Sequence, residues 1–226
     1  MRFVNFGWAA ICLFTSSVWP LSVQASQQPR PAIALEGSAD GIALSQDAGR
    51  LARWVIGTGD HQGLPFGIVD KRTATIVIYT ADGSLAGTSA ALLGQTLGDA
   101  SLAGVGERTQ NGSLRPEDLT TPAGRFVSEP GRNDSGERIV WVDYGTAFAI
   151  HRLRPGASRQ HRAERLASND ARRRRVSAGC VVVPEAFYDE VIAPLLGRSR
   201  GLVYVLPESG GLPLGAIRVS ATRILD

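Results

Sequence analysis

Residues 138–151 read RIVWVDYGTAFAIH. Apolar and β-branched side chains dominate RIVWVDY, and again TAFAIH, with Gly145 between them. That pattern predicts two strands joined by a tight connection. Upstream, TATIVIY (73–79) has the same character, and Ala81-Asp82-Gly83 after it is a turn signal, so 85–93 is expected to return as the second arm of a hairpin. Downstream, GLVYVL (201–206) is expected as a final strand, and 176–183 is an apolar stretch around Cys180. Helical signals are fewer. Ser45 is placed to cap a short helix with Leu51, Trp54 and Val55 on one stripe, ended by Gly57, Gly59 and Gly63. A short helix is expected near 160–166. Pro184 suits the first turn of another running to about Leu196, with Phe187, Val191 and Leu195 on one face. The glycine-rich, polar stretch 94–118 reads as a long loop with at most one short strand. Many short strands with few helices predict a mainly β domain, a sandwich or small barrel with a few short helices.

Further out lie the chain's ends. Arg2, the apolar run 6–18 and the small residues around Val23-Gln24-Ala25 read as a secretory signal cleaved after Ala25. Export to the periplasm is therefore expected, with no stable membrane span after cleavage, since the apolar run is short and Pro20 interrupts its end. Residues 26–64 read as an accessory segment, 65–207 as the main domain and 208–226 as a tail. Hydrophobic residues make up 43% of the chain, enough for a globular core and against disorder. The net charge of +3 is carried almost wholly by arginine, Lys71 being the only lysine. So small a charge on an exported chain is no nucleic-acid signature.

The cysteines narrow the chemistry. Of Cys12 and Cys180, the first falls inside the signal. The mature chain keeps one thiol in an oxidising compartment, which is buried packing, an intermolecular link or a reactive group. A thiol attacks as thiolate, and its ordinary pKa of about 8.5 calls for a base or a positive neighbour. Among His61, His151 and His161, His151 ranks first as base because it closes the apolar run TAFAI at a strand end. His161 sits in an arginine-rich stretch and ranks second; His61, in a Gly-Asp-His-Gln-Gly loop, ranks third. Gly179 lets the backbone turn sharply before Cys180, where amides could meet an oxyanion. The competing reading makes Cys180, followed by Val181-Val182-Val183, a small hydrophobe in a buried strand, and His151 a satisfied core histidine. No histidine and cysteine spacing of the zinc kind is present, so neither metal nor cofactor is expected.

TTPAGRF (120–126), AIH ending at 151 and SAGC (177–180) together resemble the YkuD-type L,D-transpeptidase catalytic domain family, over roughly 65–207. The resemblance implies a cysteine acyl transferase acting on peptidoglycan stem peptides. Cys180 would be the nucleophile, His151 the general base, and Gly179 and Cys180 the oxyanion backbone. The Arg152 carbonyl would orient the histidine. Arg152, Ser177 and Tyr144 would contact substrate or support the loop. A water acceptor would make the same site a carboxypeptidase or amidase, and a wall-binding protein that lost turnover is the non-enzymatic alternative. Three departures stand out. Ala178 occupies the family's usual histidine position, Val182 replaces a polar residue, and His151 lies 29 positions before Cys180, a longer gap than usual, whereas His161 lies 19 before it.

The remaining features carry less. Arg172 to Arg175 is either solvated loop charge or a lid attracting anions. Trp141 and Tyr144 either line a cleft or pack by strand alternation. Asp143 and Glu137 read as surface, and Ser177 as a support for its loop rather than a nucleophile.

Overall fold

A computed structural model describes residues 44–209 apart from Ala157. The signal, Cys12, residues 26–43 of the accessory segment and all but the start of the tail lie outside the described residues. The described part is mainly β. Eight strands form one sheet in the order β3-β2-β1-β10-β5-β6-β7-β9, and β4 and β8 form a small second sheet. The strands are β1 (Phe66–Asp70), β2 (Thr75–Tyr79), β3 (Leu85–Ala90), β4 (Leu93–Gly94), β5 (Gly124–Arg132), β6 (Arg138–Asp143), β7 (Phe148–Arg152), β8 (Arg175–Ser177), β9 (Val181–Val183) and β10 (Gly201–Leu206). The large sheet is nearly closed. Just beyond β3, Leu92 exchanges both backbone hydrogen bonds with Val182 of β9, at 2.7 and 2.9 Å.

Alternation along the strands sorts side chains into layers. Ile76, Ile78, Val203 and Val205 join Val140, Val142, Ile150, Val181 and Val183 in the main core. Phe66, Ile68, Val77, Tyr79, Leu202 and Tyr204 face the other way and are covered by α1 (Gln46–Thr58). This is why IVIY (76–79) carries large hydrophobic side chains at every position rather than at every second one: both faces are buried. Ser45 caps α1 through the Ala48 amide, and Gly59, with φ +68°, ends it. Leu51 and Val55 of α1 are fully buried, each stabilising the fold by about 1.5–3 kcal/mol. Helical residues 185–195, comprising α4 (Glu185–Phe187), a π turn (Tyr188–Ile192) and α5 (Ala193–Leu195), add Phe187, Val191 and Ile192 to the main core. Among the described residues no helix is long and apolar enough to cross a membrane.

Three elements depart from the expected ones. β1 and β5 are central strands where none was expected; β5 carries Pro130 and Gly131, and the Trp141 ring lies directly over Gly131. The stretch expected as a loop contains α2 (Val105–Gln110). Its glycines mark a close approach rather than looseness, since a Cβ on Gly106 would sit 2.3 Å from the Gly145 carbonyl. The arginine run is no lid. Arg174 is buried, donating to the carbonyls of Ser168, Thr73 and Ala74, and Arg175 pairs with Glu208 at 2.7 Å. Arg172 and Arg173 alone of the four remain exposed.

Candidate functional site

β7 and β9 run parallel, with Ile150 opposite Val181 and His151 opposite Val182. On a pleated sheet, side chains two apart share a face. Ile150, Val181 and Val183 therefore enter the core, while Ala149, His151, Cys180 and Val182 face outward together into a pocket of about 380 Å³. Trp141, opposite Ala149 on β6, forms part of the same wall. Position on adjacent strands brings His151 and Cys180 together. The long gap between them is taken up by α3 (Arg159–Leu166), anchored by Leu166 packing with Leu92, Leu153 and Val182. The excursion leaves the β7–β9 pairing undisturbed.

His151 is 7% exposed, and its Nδ1 lies 2.8 Å from the Arg152 carbonyl. A carbonyl only accepts, so Nδ1 carries the proton and Nε2 keeps the lone pair. Burial pushes the imidazole below its ordinary pKa. The Arg152 carbonyl opposes this, Arg154 and Arg162 add to it, and Glu137 opposes it. The imidazole is thus neutral and single-tautomer near pH 7.

The half-buried Cys180 thiol donates to the Ala147 carbonyl at 3.5 Å. Burial pushes its pKa up, and the Ala149 backbone and the Arg154 charge counter this only in part. The resting pair is therefore thiol and imidazole, not thiolate and imidazolium.

The turn carrying Cys180 is held from several sides. Ser177 Oγ donates to the Cys180 carbonyl at 2.6 Å and accepts from the Gly179 amide at 3.2 Å. Ser177 thus staples its own loop, and the Gly179 amide is occupied. Gly179 has φ +117°, and a Cβ there would sit 2.9 Å from the Thr120 carbonyl, so glycine is required on both counts. Its carbonyl accepts from Thr121 Oγ1 at 2.8 Å, and that hydroxyl accepts from the Gly94 amide at 2.9 Å. Lys71, fully buried, donates to the carbonyls of Thr121 (3.0 Å) and Gly98 (2.6 Å) and to Asp99 (2.6 Å). Replacing Thr121 with valine leaves the Gly94 amide and the Gly179 carbonyl without this partner. The expected cost is about 1–3 kcal/mol, read as a lower urea midpoint, with slower alkylation of Cys180 in the folded variant.

Other expected site residues lie elsewhere. Next to His151 on β7, the Arg152 side chain points away, lying over the Tyr188 ring and pairing with Asp189 at 2.9 Å. It reaches the site only through its carbonyl. Tyr144 is 63% exposed on a 3-10 turn, edge-on to Trp141, and does not line the pocket. Counted by alternation from Trp141, Tyr144 falls on the opposite face from the pocket, and β6 ends at Asp143 before it. His161 is exposed on α3 and outside the pocket lining, and His61 packs near Phe66 beside α1. Asp143 caps the turn through the Gly145 amide. Glu137 is no idle surface carboxylate: it pairs with Arg154 at 2.8 Å and Arg152 at 3.7 Å. Sequence reasoning missed Arg154 and Arg162, both lining the pocket, and Thr121 and Lys71 behind it. No group of three or more histidine, cysteine or acidic side chains suited to a metal occurs among the described residues.

No family model matches the chain, and no curated protein matches it. Solved structures with a similar fold include the helical cell shape determining protein Pgp2 from Campylobacter jejuni. It is 13% identical at a TM-score of 0.41, over 64% of this chain and 48% of that one. An L,D-transpeptidase from Mycobacterium smegmatis is 16% identical at 0.37, over 62% and 58%. The catalytic domain of the E. faecium L,D-transpeptidase is 20% identical at 0.32, over 62% and 95%. The chain spans about half the length of the first of these. Similarity at this level leaves the activity to be argued from the site itself.

Proposed function

We propose that this protein is an exported cysteine acyl transferase of the L,D-transpeptidase kind, acting on peptidoglycan stem peptides. One observation carries the reading: a thiol and an imidazole tautomer-locked by a backbone carbonyl face one pocket from adjacent parallel strands.

In this reading His151 Nε2 takes the Cys180 proton as sulfur attacks the carbonyl of the third stem residue. A C–S bond forms and the carbonyl oxygen gains charge, met by the Cys180 amide rather than by the occupied Gly179 amide. The C–N bond to the terminal D-alanine then breaks, and the imidazolium returns its proton to the leaving amine. A side-chain amine of a second stem attacks the thioester, expelling the thiolate, which is reprotonated as the 3→3 cross-link forms. Water in place of that amine gives a carboxypeptidase. The raised thiol pKa and the apolar Val182 favour a second reading, a wall-binding protein of the same fold without turnover.

Intact-mass analysis of the protein incubated with a tetrapeptide stem, and separately with a carbapenem, decides between them. The expected result is a covalent adduct on the protein with release of D-alanine, and the products then separate cross-linking from hydrolysis. Correctly folded protein that forms no adduct with either compound would sink the enzyme reading and leave the binding one.

A further inference from the structure

Two guanidinium groups face the pocket that holds Cys180 and His151: Arg154, just after β7, and Arg162 of α3. Their pairing is unequal. Arg154 lies 2.8 Å from Glu137, although its Nε–H is not aimed at that carboxylate. Arg162 has no acidic partner among the described residues. One Nη of Arg162 reaches the Arg154 carbonyl at 3.5 Å, a long contact, and its Nε–H is buried with no hydrogen bond at all. A buried N–H of a charged group without an acceptor is a cost that the fold carries unless something else supplies one. The same two cations also help hold His151 neutral.

The pocket's opposing charge is small. Glu137 is engaged by Arg154 and Arg152, and Asp134 lies on the exposed hairpin between β5 and β6 at the rim. Arg162 is thus the pocket cation with no acid paired to it among the described residues, placed beside a nucleophile. That balance suits a single carboxylate, whose two oxygens match the guanidinium fork, better than a polyanion. Val182, on the same face, offers no polar contact of its own, so recognition by charge falls to the helix of the excursion.

We propose that Arg162, assisted by Arg154, is the specificity-determining group of this pocket, and that it reads a free carboxylate on the peptide whose acyl group Cys180 meets. The assignment rests on the peptide-acyl reading of the site, but it can be tested apart from turnover. Binding is measured by calorimetry on Cys180→Ala protein. The probes are a tetrapeptide stem ending in D-alanine and the same peptide ending in D-alaninamide. The acid binds more tightly than the amide by about tenfold or more. Arg162→Gln removes the difference, and Arg162→Lys, which keeps the charge without the fork, restores part of it.

Equal binding of acid and amide, absence of binding by both, or an acid preference that survives Arg162→Gln in folded protein each overturns the proposal. Protein retaining Cys180 is run with both peptides in parallel. Adducts formed equally from acid and amide overturn the proposal while acyl transfer stands. An Arg162-dependent preference in binding without any adduct leaves the proposal standing and removes acyl transfer.

Discussion

Cys180→Ala abolishes the covalent adduct with stem peptide and carbapenem alike, a loss of at least about a thousandfold in acylation. The structure gives that variant a clean interpretation. Cys180 makes one side-chain hydrogen bond, to the Ala147 carbonyl, and its turn is held by backbone and hydroxyl contacts of Ser177, Gly179 and Thr121 that alanine leaves in place. The fold therefore survives, and the urea midpoint should shift little. Cys180→Ser is the sharper companion: it keeps the shape and replaces the thiol with a hydroxyl that is far harder to ionise, so it too should lose acylation. Adducts persisting in Cys180→Ala would move the nucleophile elsewhere and dismantle the site as described.

His151→Gln slows acylation of Cys180 by about a hundred- to ten-thousandfold. A resting thiol whose pKa is raised by burial gains little thiolate on its own at neutral pH, so the base is required rather than helpful. The sign of the pH dependence follows from the tautomer and the burial. Only neutral imidazole accepts the proton, and burial holds His151 below its ordinary value of 6.5. The acylation rate thus falls toward low pH, as the imidazole protonates, with the midpoint of that limb below pH 6.5. Stopped-flow acylation across pH checks this. An acid limb centred above pH 6.5 would contradict the buried, cation-flanked environment. In His151→Gln that limb disappears, and the residual rate climbs toward alkaline pH with the thiol.

How far all this was legible depended on where each residue's environment was set. β2, β6, β7 and β10 announce themselves because β-branched and apolar residues dominate their whole lengths. β1 and β5 do not. FGIVD is brief and runs into Asp70 and Lys71, which look like surface charges. Both are buried: Asp70 accepts from the Arg72 amide, and Lys71 binds distant loops. β5 is broken to the eye by Pro130 and Gly131, yet that glycine is what admits the Trp141 ring.

At the site, the strand-end histidine and the Gly-Cys turn are local patterns and could be read from the chain. Arg162 could not. It is one of several arginines in a polar helix, and only the folding of that helix over the β7–β9 edge distinguishes it from Arg159, which pairs with Glu185 on the surface. Tyr144 failed for the opposite reason. Alternation in β6 puts Trp141 on the pocket face, so Tyr144, three residues on, falls outside it, on a turn after the strand ends.

The single lysine has a further meaning. Arginine stays protonated at neutral pH and does not attack thioesters, whereas an unprotonated lysine amine does. With its one side-chain amine, Lys71, fully enclosed among carbonyls and a carboxylate, the protein offers no lysine amine of its own to an acyl group on Cys180. Neither the same chain nor a second copy could then intercept that group through a lysine. The acyl group would be kept for an acceptor brought from outside.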